Sequence, residues 1–579
     1  MKLIMKYLSP HIGWVILGLI IKFGATMMEL FLPYLLEMII DDVVPTGNQR
    51  MVVYLGILMI ICALLALFGN ITANRLAARS SGRATRKIRY DLFAKITYLS
   101  SKKCDEFTES SLISRLTSDT YNVNQFMNRI QRMGVRAPIL LVGGIILTMS
   151  LDFVLSMVLA LMLPLVGIVV VLVTRKGVPI YTNVQERLDT LVKTVQENIT
   201  GIRVIKALSK TEYERERFNK VNEELAGIER KAADVMAISN PMTTLILNIG
   251  LVAVVAVGAY RVNAGHTEPG TIIAFLSYFT IMLNAMLGIT RIFIMYTKGV
   301  ASARRIEEVI NSEQDMKIMP KTGLLADIPS EYHIEFKDVS FSYNNKENNL
   351  TNLSFALRKG QTLGIIGSTG SGKSTIINLL MRFYDVGSGS VRINGEDIRT
   401  IPEERLHTMF GAAFQSDFLF AATIRDNISF GRNLSDEEII KAAKAAQGYE
   451  FISKLRDGLD HMLTIKGSNL SGGQKQRLLI ARALAGNPEI LILDDSSSAL
   501  DYKTDAMLRR ALADNYSEVT SVIIAQRIST VQNADLIIVL DDGIVTGMGT
   551  HEELMTSCAA YSKIAELQMG AQRGEAESI

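Results

Sequence analysis

A glycine-rich run in the second half of the chain has the residue types and spacing of a phosphate-binding loop. Residues 362–380 read TLGIIGSTGSGKSTIINLL, an apolar strand pattern, a glycine-rich turn and an apolar helix pattern. Such glycines let backbone N–H groups turn inward around phosphates, while the lysine reaches the terminal phosphates and the serine hydroxyl can ligate Mg²⁺. The residues predicted to bind the nucleotide here are Gly367, Ser368, Thr369, Gly370, Ser371, Gly372, Lys373, Ser374 and Thr375.

A pair of carboxylates follows a second apolar run. Residues 490–495 read ILILDD, a continuous apolar stretch that ends in Asp494 and Asp495. Such a stretch is typical of a strand buried on both faces. Its first carboxylate can hold the same Mg²⁺ through water. The two motifs together predict a site for ATP and Mg²⁺ on an α/β domain, with Ser374 and Asp494 at the metal.

The first half of the chain is predicted to be a membrane domain to which the nucleotide site is attached. Hydrophobic residues make up 48% of the sequence, and they concentrate in this half. Several runs are close to the ~20 residues that cross the hydrocarbon layer. One run, residues 137–174, is long enough for two spans joined at Asp152. The six predicted spans cover residues 12–40, 51–74, 137–151, 153–174, 242–262 and 269–298.

The basic residues set the predicted orientation. Six cations follow the second span with no acid among them, whereas the loop after the first span carries Asp41 and Asp42. By the positive-inside rule the N-terminus is cytoplasmic, and an even number of crossings leaves the C-terminal half there too. We therefore expect a multi-pass plasma-membrane protein with both termini in the cytoplasm. The six cations are Arg75, Arg79, Arg83, Arg86, Lys87 and Arg89.

The predicted fold class is multi-domain. Residues 1–315 form an all-α transmembrane domain of six helices with long cytosolic helix extensions, because the inner connections are charged with helical periodicity. Residues 316–332 form a linker marked by Pro320 and Pro329, and residues 333–579 form an α/β P-loop ATPase domain.

Charge and cysteine content exclude two classes of function. A net charge of +3 with dispersed basic residues does not predict nucleic acid as a partner. The three cysteines, Cys62, Cys104 and Cys558, have no CxxC spacing, so neither a disulfide scaffold nor a zinc site is predicted.

A pentapeptide between the two nucleotide motifs makes the resemblance specific. Residues 470–474 read LSGGQ, and with the two nucleotide motifs and the six spans the chain resembles an ABC transporter of the exporter type, one half of a pair. The resemblance implies that Tyr343 stacks on adenine and that Gln415 contacts the metal. It also implies that two nucleotide domains meet head to tail, so each site is composite. The residues that act on a partner's ATP are then Ser471, Gly472, Gly473 and Gln474.

Two residues depart from the family pattern. Asp495 stands where the family usually carries the Glu that polarises the attacking water, and Gln526 stands where it usually carries His. The shorter carboxylate is expected to sit about 1 Å or more from the productive position, an error that can cost about 100-fold. A neutral amide can hydrogen-bond a phosphate oxygen but cannot relay a proton as His can. Ile465 similarly replaces a Glu that exporters often carry.

An intact LSGGQ beside a weakened site predicts a heterodimer. The chain resembles the degenerate-site subunit of heterodimeric bacterial multidrug exporters, which implies slow hydrolysis at its own P-loop and an LSGGQ donated to the site of a second half-transporter subunit. The alternative is a mainly regulatory or structural ATP-binding subunit.

Charged and adaptable side chains in the first and sixth spans are candidate substrate contacts. Lys22 and Glu29 share one helix face, where an internal ion pair is as well supported as a substrate role. The 26 methionines of the chain suggest adaptable apolar surface. The resemblance implies amphipathic or cationic drug-like substrates, with lipids and peptides as alternatives and membrane lipid as a partner. The candidate residues are Lys22, Glu29, Glu37, Met282, Met286 and Arg291.

Overall fold

The computed structural model describes residues 1–576 apart from positions 314, 326, 329, 345, 416, 417 and 497. The chain divides into two compact units. The first comprises Met1–Tyr98 and Phe107–Ser312, and the second comprises Leu99–Glu106 and Glu313–Ile579. The short segment Leu99–Glu106 thus groups with the second unit, in which the Tyr384 hydroxyl donates to the Asp105 carboxylate.

The described part of the first unit is helical, and three of its helices run for 42 to 49 residues, about twice the length of a membrane crossing. Up to residue 312 the helices are α1 (Lys2–Leu8), α2 (Ile12–Met38), α3 (Gln49–Thr97), α4 (Ser101–Phe107), α5 (Glu109–Ser114), α6 (Thr120–Met133), α7 (Arg136–Leu151), α8 (Phe153–Thr200), α9 (Ile202–Ala207), α10 (Thr211–Ala237), α11 (Ser239–Asn263) and α12 (Pro269–Ile310).

Five helical segments among the described residues are long and apolar enough to cross a membrane, which supports a multi-pass membrane protein. The predicted fourth span, residues 153–174, falls on a shorter apolar stretch, Phe153–Val169 at the start of α8. The five segments are Lys2–Val43, Gln49–Thr97, Glu109–Leu151, Thr244–Asn263 and Pro269–Met286.

The second unit contains all the strands of the described chain. They are β1 (Ile334–Phe341), β2 (Leu350–Leu357), β3 (Thr362–Gly367), β4 (Ser388–Ile393), β5 (Glu396–Asp397), β6 (Phe410–Ala413), β7 (Ile490–Asp494), β8 (Thr520–Ile524), β9 (Leu536–Asp541) and β10 (Ile544–Gly549). Its helices are α13 (Lys373–Leu380), α14 (Glu403–Thr408), α15 (Ile424–Ser429), α16 (Asp436–Ala445), α17 (Tyr449–Lys454), α18 (Gly472–Leu484), α19 (Tyr502–Asn515), α20 (Ile528–Val531), α21 (His551–Ser557) and α22 (Ala559–Ala576).

The strand order places the predicted nucleotide residues at one edge of a sheet. A four-stranded antiparallel sheet has the order β2-β1-β4-β5, and a six-stranded sheet has the order β10-β9-β3-β8-β7-β6. In the larger sheet β9, β3, β8, β7 and β6 are parallel. The carboxyl ends of parallel strands share one edge, where open α/β sheets bind ligands. β7 is buried at all five positions, as its continuous apolar run predicts.

Candidate functional site

The glycine-rich loop joins β3 to the N-terminus of α13. Gly370 and Gly372 adopt φ of 86° and 97°, a left-handed conformation that favours glycine. A Cβ on Gly372 would lie 2.7 Å from the Asn349 carbonyl oxygen, so a larger residue would also clash there. Helix α13 begins directly after this turn and directs its free N–H groups at the loop. The loop therefore has the form of an anion cradle.

Lys373 is held inside this loop. Its Nζ donates to the carbonyl oxygens of Gly367 at 3.0 Å and Ser368 at 2.6 Å. Burial lowers the pKa of the Lys373 ammonium, while the nearby carboxylates of Asp494 and Asp495 act in the opposite direction. The ammonium is thus positioned by the loop itself.

Ser374 and Asp494 form an oxygen pair suited to Mg²⁺. The Ser374 Oγ donates to Asp494 Oδ2 at 3.1 Å. Burial raises the pKa of Asp494, and the hydrogen bond from Ser374 opposes that shift. Mg²⁺ takes oxygen ligands and uses few protein carboxylates, so a hydroxyl beside one buried carboxylate fits it. The residues present therefore fit the predicted ion.

The two unusual residues are in direct contact. Gln526 Nε2 donates to Asp495 Oδ2 at 2.9 Å, and Gln415 Nε2 donates to the same oxygen at 3.3 Å. Burial raises the pKa of Asp495, and the hydrogen bond from Gln526 opposes that shift. Asp495 adopts φ of 47°, a conformation uncommon for a residue with a side chain. One carboxylate oxygen is therefore shared by two amides.

Tyr343 lies beside the start of α13. Its hydroxyl accepts a hydrogen bond from Asn378 Nδ2 at 2.9 Å and lies 3.4 Å from Thr375 Oγ1. Its ring makes edge-on contacts with Phe341 and Tyr384, at centroid distances of 4.8 and 5.0 Å. The residue is 43% exposed. The ring is held by these neighbours and is partly exposed, so it is suited to stacking with a planar base.

One cavity of about 290 Å³ gathers most of the predicted nucleotide residues. The sequence reasoning missed three residues here: Asn349 and Ile524 line the cavity, and Asn378 bonds to Tyr343. Asn378 could have been found, because it lies one helical turn after Ser374 on α13. The predicted residues that line the cavity are Tyr343, Thr369, Gly370, Gly372, Lys373, Ser374, Thr375, Gln415, Asp494, Asp495 and Gln526.

The LSGGQ residues lie apart from this cavity and begin α18. The Ser471 hydroxyl accepts a hydrogen bond from the N–H of Gln474, and the Gln474 side chain accepts one from the N–H of Ser471. This reciprocal capping fixes the start of the helix. Ser471 and Gly472 at that start are exposed. None of Ser471, Gly472, Gly473 and Gln474 is among the residues that line the cavity around Lys373. The structure does not bring the two halves of the predicted composite site together within one chain.

A glutamine that the sequence reasoning missed ties the LSGGQ helix to the loop after β7. Gln476 Nε2 donates to Ser498 Oγ at 3.1 Å, and Gln476 Oε1 accepts from the N–H of Ala499 at 2.9 Å. The amide of Gln476 therefore links the start of α18 to Ser498 and Ala499, in the segment that follows Asp495. No local pattern distinguishes this glutamine from a surface residue.

The charged residues of the first span form a network with other helices of the same unit. Glu29 forms an ion pair with Arg136 at 2.8 Å instead of pairing with Lys22. Asn70 connects the two: its Nδ2 donates to Glu29 Oε1 at 2.7 Å, and its Oδ1 accepts from Lys22 Nζ at 2.5 Å. Lys22 is only 4% exposed. An internal ion pair exists, as the sequence permits, but its cation is on another helix.

The remaining substrate candidates occupy different surroundings. Met282 is fully buried and packs against Gly144. Met286 and Glu37 are partly buried. The side chain of Arg291 lies outside the described residues.

A phosphate cradle, an oxygen pair for Mg²⁺ and a helical membrane unit in one chain define a membrane-associated P-loop ATPase. Two families match the chain: the ABC transporter transmembrane region over residues 15–286 and the ABC transporter family over residues 350–498. The ABC transporter ATP-binding protein YfiB of Bacillus subtilis (strain 168) is 36% identical, over 99% of this chain and 100% of that protein. The ATP-dependent lipid A-core flippase of Vibrio vulnificus is 32% identical, over 85% and 84%.

A solved structure has the same fold. The ATP-bound structure of a bacterial Atm1-family ABC exporter aligns with a TM-score of 0.80 and 24% identity, over 97% of this chain and 98% of that one. The chain therefore belongs to the ABC transporter family. It is an ATP-driven exporter half-transporter, in which a helical membrane domain and an ABC ATPase domain are fused.

Proposed function

We propose that this chain is the degenerate-site subunit of a heterodimeric ABC exporter. The observation that carries the proposal is the contact between Asp495 and Gln526. The aspartate carboxylate is one methylene shorter than that of glutamate, and two amides hold one of its oxygens. A general base must reach the water it activates, so a short and constrained carboxylate slows hydrolysis. The P-loop would hold the phosphates of ATP, and Ser374 and Asp494 would hold Mg²⁺, which would supply positive charge there.

The same chain is suited to complete its partner's site. Ser471 and Gly473 begin a helix whose N-terminus offers free N–H groups and a positive dipole to an anion. This exposed helix start would face the ATP on the P-loop of a second half-transporter subunit. A partner with Glu and His at the positions of Asp495 and Gln526 would then carry out most of the hydrolysis.

The membrane topology follows from the sequence. We propose six spans, with residues 153–174 as the fourth, in the plasma membrane and with both termini in the cytoplasm. The transmembrane domain covers residues 1–315, the linker 316–332 and the nucleotide domain 333–579. The basic residues after the second span support this orientation.

Drug-like or amphipathic compounds are the proposed substrates. A lipid is the second candidate, supported by relatives named as lipid A-core flippases at 29% and 32% identity. Peptide export is a further alternative, and a mainly regulatory or structural ATP-binding role is another.

Purification of the chain alone and with its partner tests the division of labour. We expect slow ATP turnover by the chain alone, because a homodimer would contain two impaired sites, and fast turnover by the co-purified complex. Steady-state phosphate release under both conditions is the measurement. Robust turnover by the chain alone would refute the proposal.

Lys373→Ala distinguishes a working ATP site from a scaffold. Loss of the loop-bound ammonium removes a charge-assisted contact to phosphate. We expect loss of ATP binding at this P-loop and loss of transport by the complex, measured by nucleotide crosslinking and vesicle flux. Lys359→Ala, on an exposed turn, is the matched control. Full transport by the Lys373→Ala variant would instead support a purely structural subunit.

A further inference from the structure

A cavity in the helical unit is lined by cations from three helices. It has a volume of about 310 Å³ and is formed by α2, α3, α6 and α7. Four of its six lining residues are positively charged. The lining residues are Lys22, Asn74, Arg129, Arg132, Met133 and Arg136.

The positive charge of this cavity is only partly compensated. Glu29 is paired with Arg136 through contacts of 2.8 and 3.2 Å. Among the described residues, Lys22, Arg129 and Arg132 form no ion pair with a carboxylate. The four cations therefore exceed the neighbouring carboxylate by three charges. An uncompensated cation that is mostly buried, as Lys22 is, is costly unless an anion joins it.

Amide oxygens orient two of these cations, Lys22 and Arg132. Asn74 Oδ1 accepts from Arg132 Nε at 3.1 Å and lies 3.4 Å from Lys22 Nζ. Asn70 Oδ1 accepts from Lys22 Nζ at 2.5 Å. An amide oxygen orients a cation without neutralising its charge. The other N–H groups of the lysine and arginine side chains therefore stay available to bind an anion. The cavity is therefore a preorganised set of donors for a phosphate or carboxylate group.

A smaller, partly apolar cavity shares lining residues with the cationic one. It has a volume of about 170 Å³, and Met133 and Arg136 line both cavities. Its apolar lining includes Ala137, Leu140 and Ile281, and its polar lining adds Glu29, the ion-pair partner of Arg136, and Asn284. A cationic cavity beside a partly apolar one matches a molecule with an acidic head and an apolar body.

We propose that this paired cavity binds an amphipathic anion, with its phosphate or carboxylate head group at Lys22, Arg129 and Arg132 and its apolar part along Ala137 and Leu140. The inference rests on the proposed exporter function, whose substrate class it specifies. It favours acidic amphiphiles over the cationic compounds that the family resemblance implies. The head group can belong to a membrane phospholipid or to a soluble amphiphile, since both present the same anionic chemistry.

Equilibrium binding to the full-length chain in a neutral maltoside detergent, without ATP, tests the proposal. The probes are fluorescent phosphatidylglycerol, fluorescent phosphatidylcholine and dodecyl phosphate as a competitor. The test variant is Arg129→Gln with Arg132→Gln, which changes two exposed side chains and leaves the buried Lys22 in place. The matched control is Arg83→Gln with Arg86→Gln, two exposed arginines of α3 outside the cavity.

We expect the test variant to raise the Kd for phosphatidylglycerol about tenfold or more, because two charge-assisted contacts are lost, and the control to leave it unchanged. Phosphatidylcholine should bind weakly to every variant. Competition by dodecyl phosphate would support the proposal and identify a soluble amphiphile as a ligand, whereas binding of the phospholipid alone would support it with lipid as the source.

The proposal would be overturned if the test variant and the control lost affinity for phosphatidylglycerol equally. Equal affinity of the unchanged chain for phosphatidylglycerol and phosphatidylcholine would also overturn it. The assay uses neither ATP nor a partner, so its failure leaves the proposed division of hydrolysis untouched. Conversely, rapid ATP turnover by the chain alone would refute that division without altering head-group selectivity.

Discussion

Ser471→Arg in this chain is expected to abolish ATP hydrolysis by the proposed heterodimer, whereas Asp495→Asn in the same chain leaves it within about twofold. Ser471 caps the exposed start of α18, and its hydroxyl and neighbouring N–H groups are the proposed donors to the partner's γ-phosphate. Removal of one such preorganised donor costs about 100-fold or more in rate, and an arginine there also obstructs the phosphate. In the proposed division of labour Asp495 serves a site that contributes little turnover, so its neutralisation should have little effect.

The measurement is steady-state phosphate release by the purified complex, with ATP binding recorded in parallel. Ser517→Arg is the matched control, because it introduces the same side chain at an exposed position just before β8, at the opposite end of that strand from Gln526. Equal damage from Asp495→Asn and Ser471→Arg would mean that both sites hydrolyse ATP, which would end the proposed division of labour.

Asp495→Glu combined with Gln526→His is expected to raise hydrolysis at this chain's own site by about 100-fold. The longer carboxylate reaches the attacking water, and the imidazole can carry charge where the amide cannot. The rate should be measured in a complex whose partner has its catalytic glutamate replaced by glutamine, so that the remaining turnover comes from this site.

The two substitutions should not be additive. Asp495 and Gln526 are 2.9 Å apart, and residues in contact commonly show interaction energies of about 0.5–3 kcal/mol. We therefore expect each single variant to raise the hydrolysis rate much less than the double variant does. Asp495→Glu alone would still face Gln526, and Gln526→His alone would still face the shorter Asp495. Asp514→Glu with Gln532→His makes the same exchanges outside the cavity and should change nothing. An unchanged rate in the Asp495–Gln526 double variant would show that another feature limits this site.

The sequence by itself determined those parts of the molecule that depend on contiguous residues. The phosphate loop is a strand, a turn and a helix within one short run, and the left-handed turn at Gly372 requires the residue found there. The continuous apolar run of β7 predicts burial on both faces, and that strand is buried throughout. Most apolar runs of the first half are likewise helices of membrane-spanning length.

The sequence could not determine which distant side chains meet. Gln415, Asp495 and Gln526 follow β6, β7 and β8, and only the order of those strands in the sheet brings two amides onto one carboxylate oxygen. Helical periodicity placed Lys22 and Glu29 on one face of α2. In the packed structure, however, Glu29 pairs with Arg136 of α7, and Lys22 contacts asparagine side chains in a cavity that arginines also line. Periodicity fixes which face a residue occupies, whereas long-range packing of helices and strands chooses its partner.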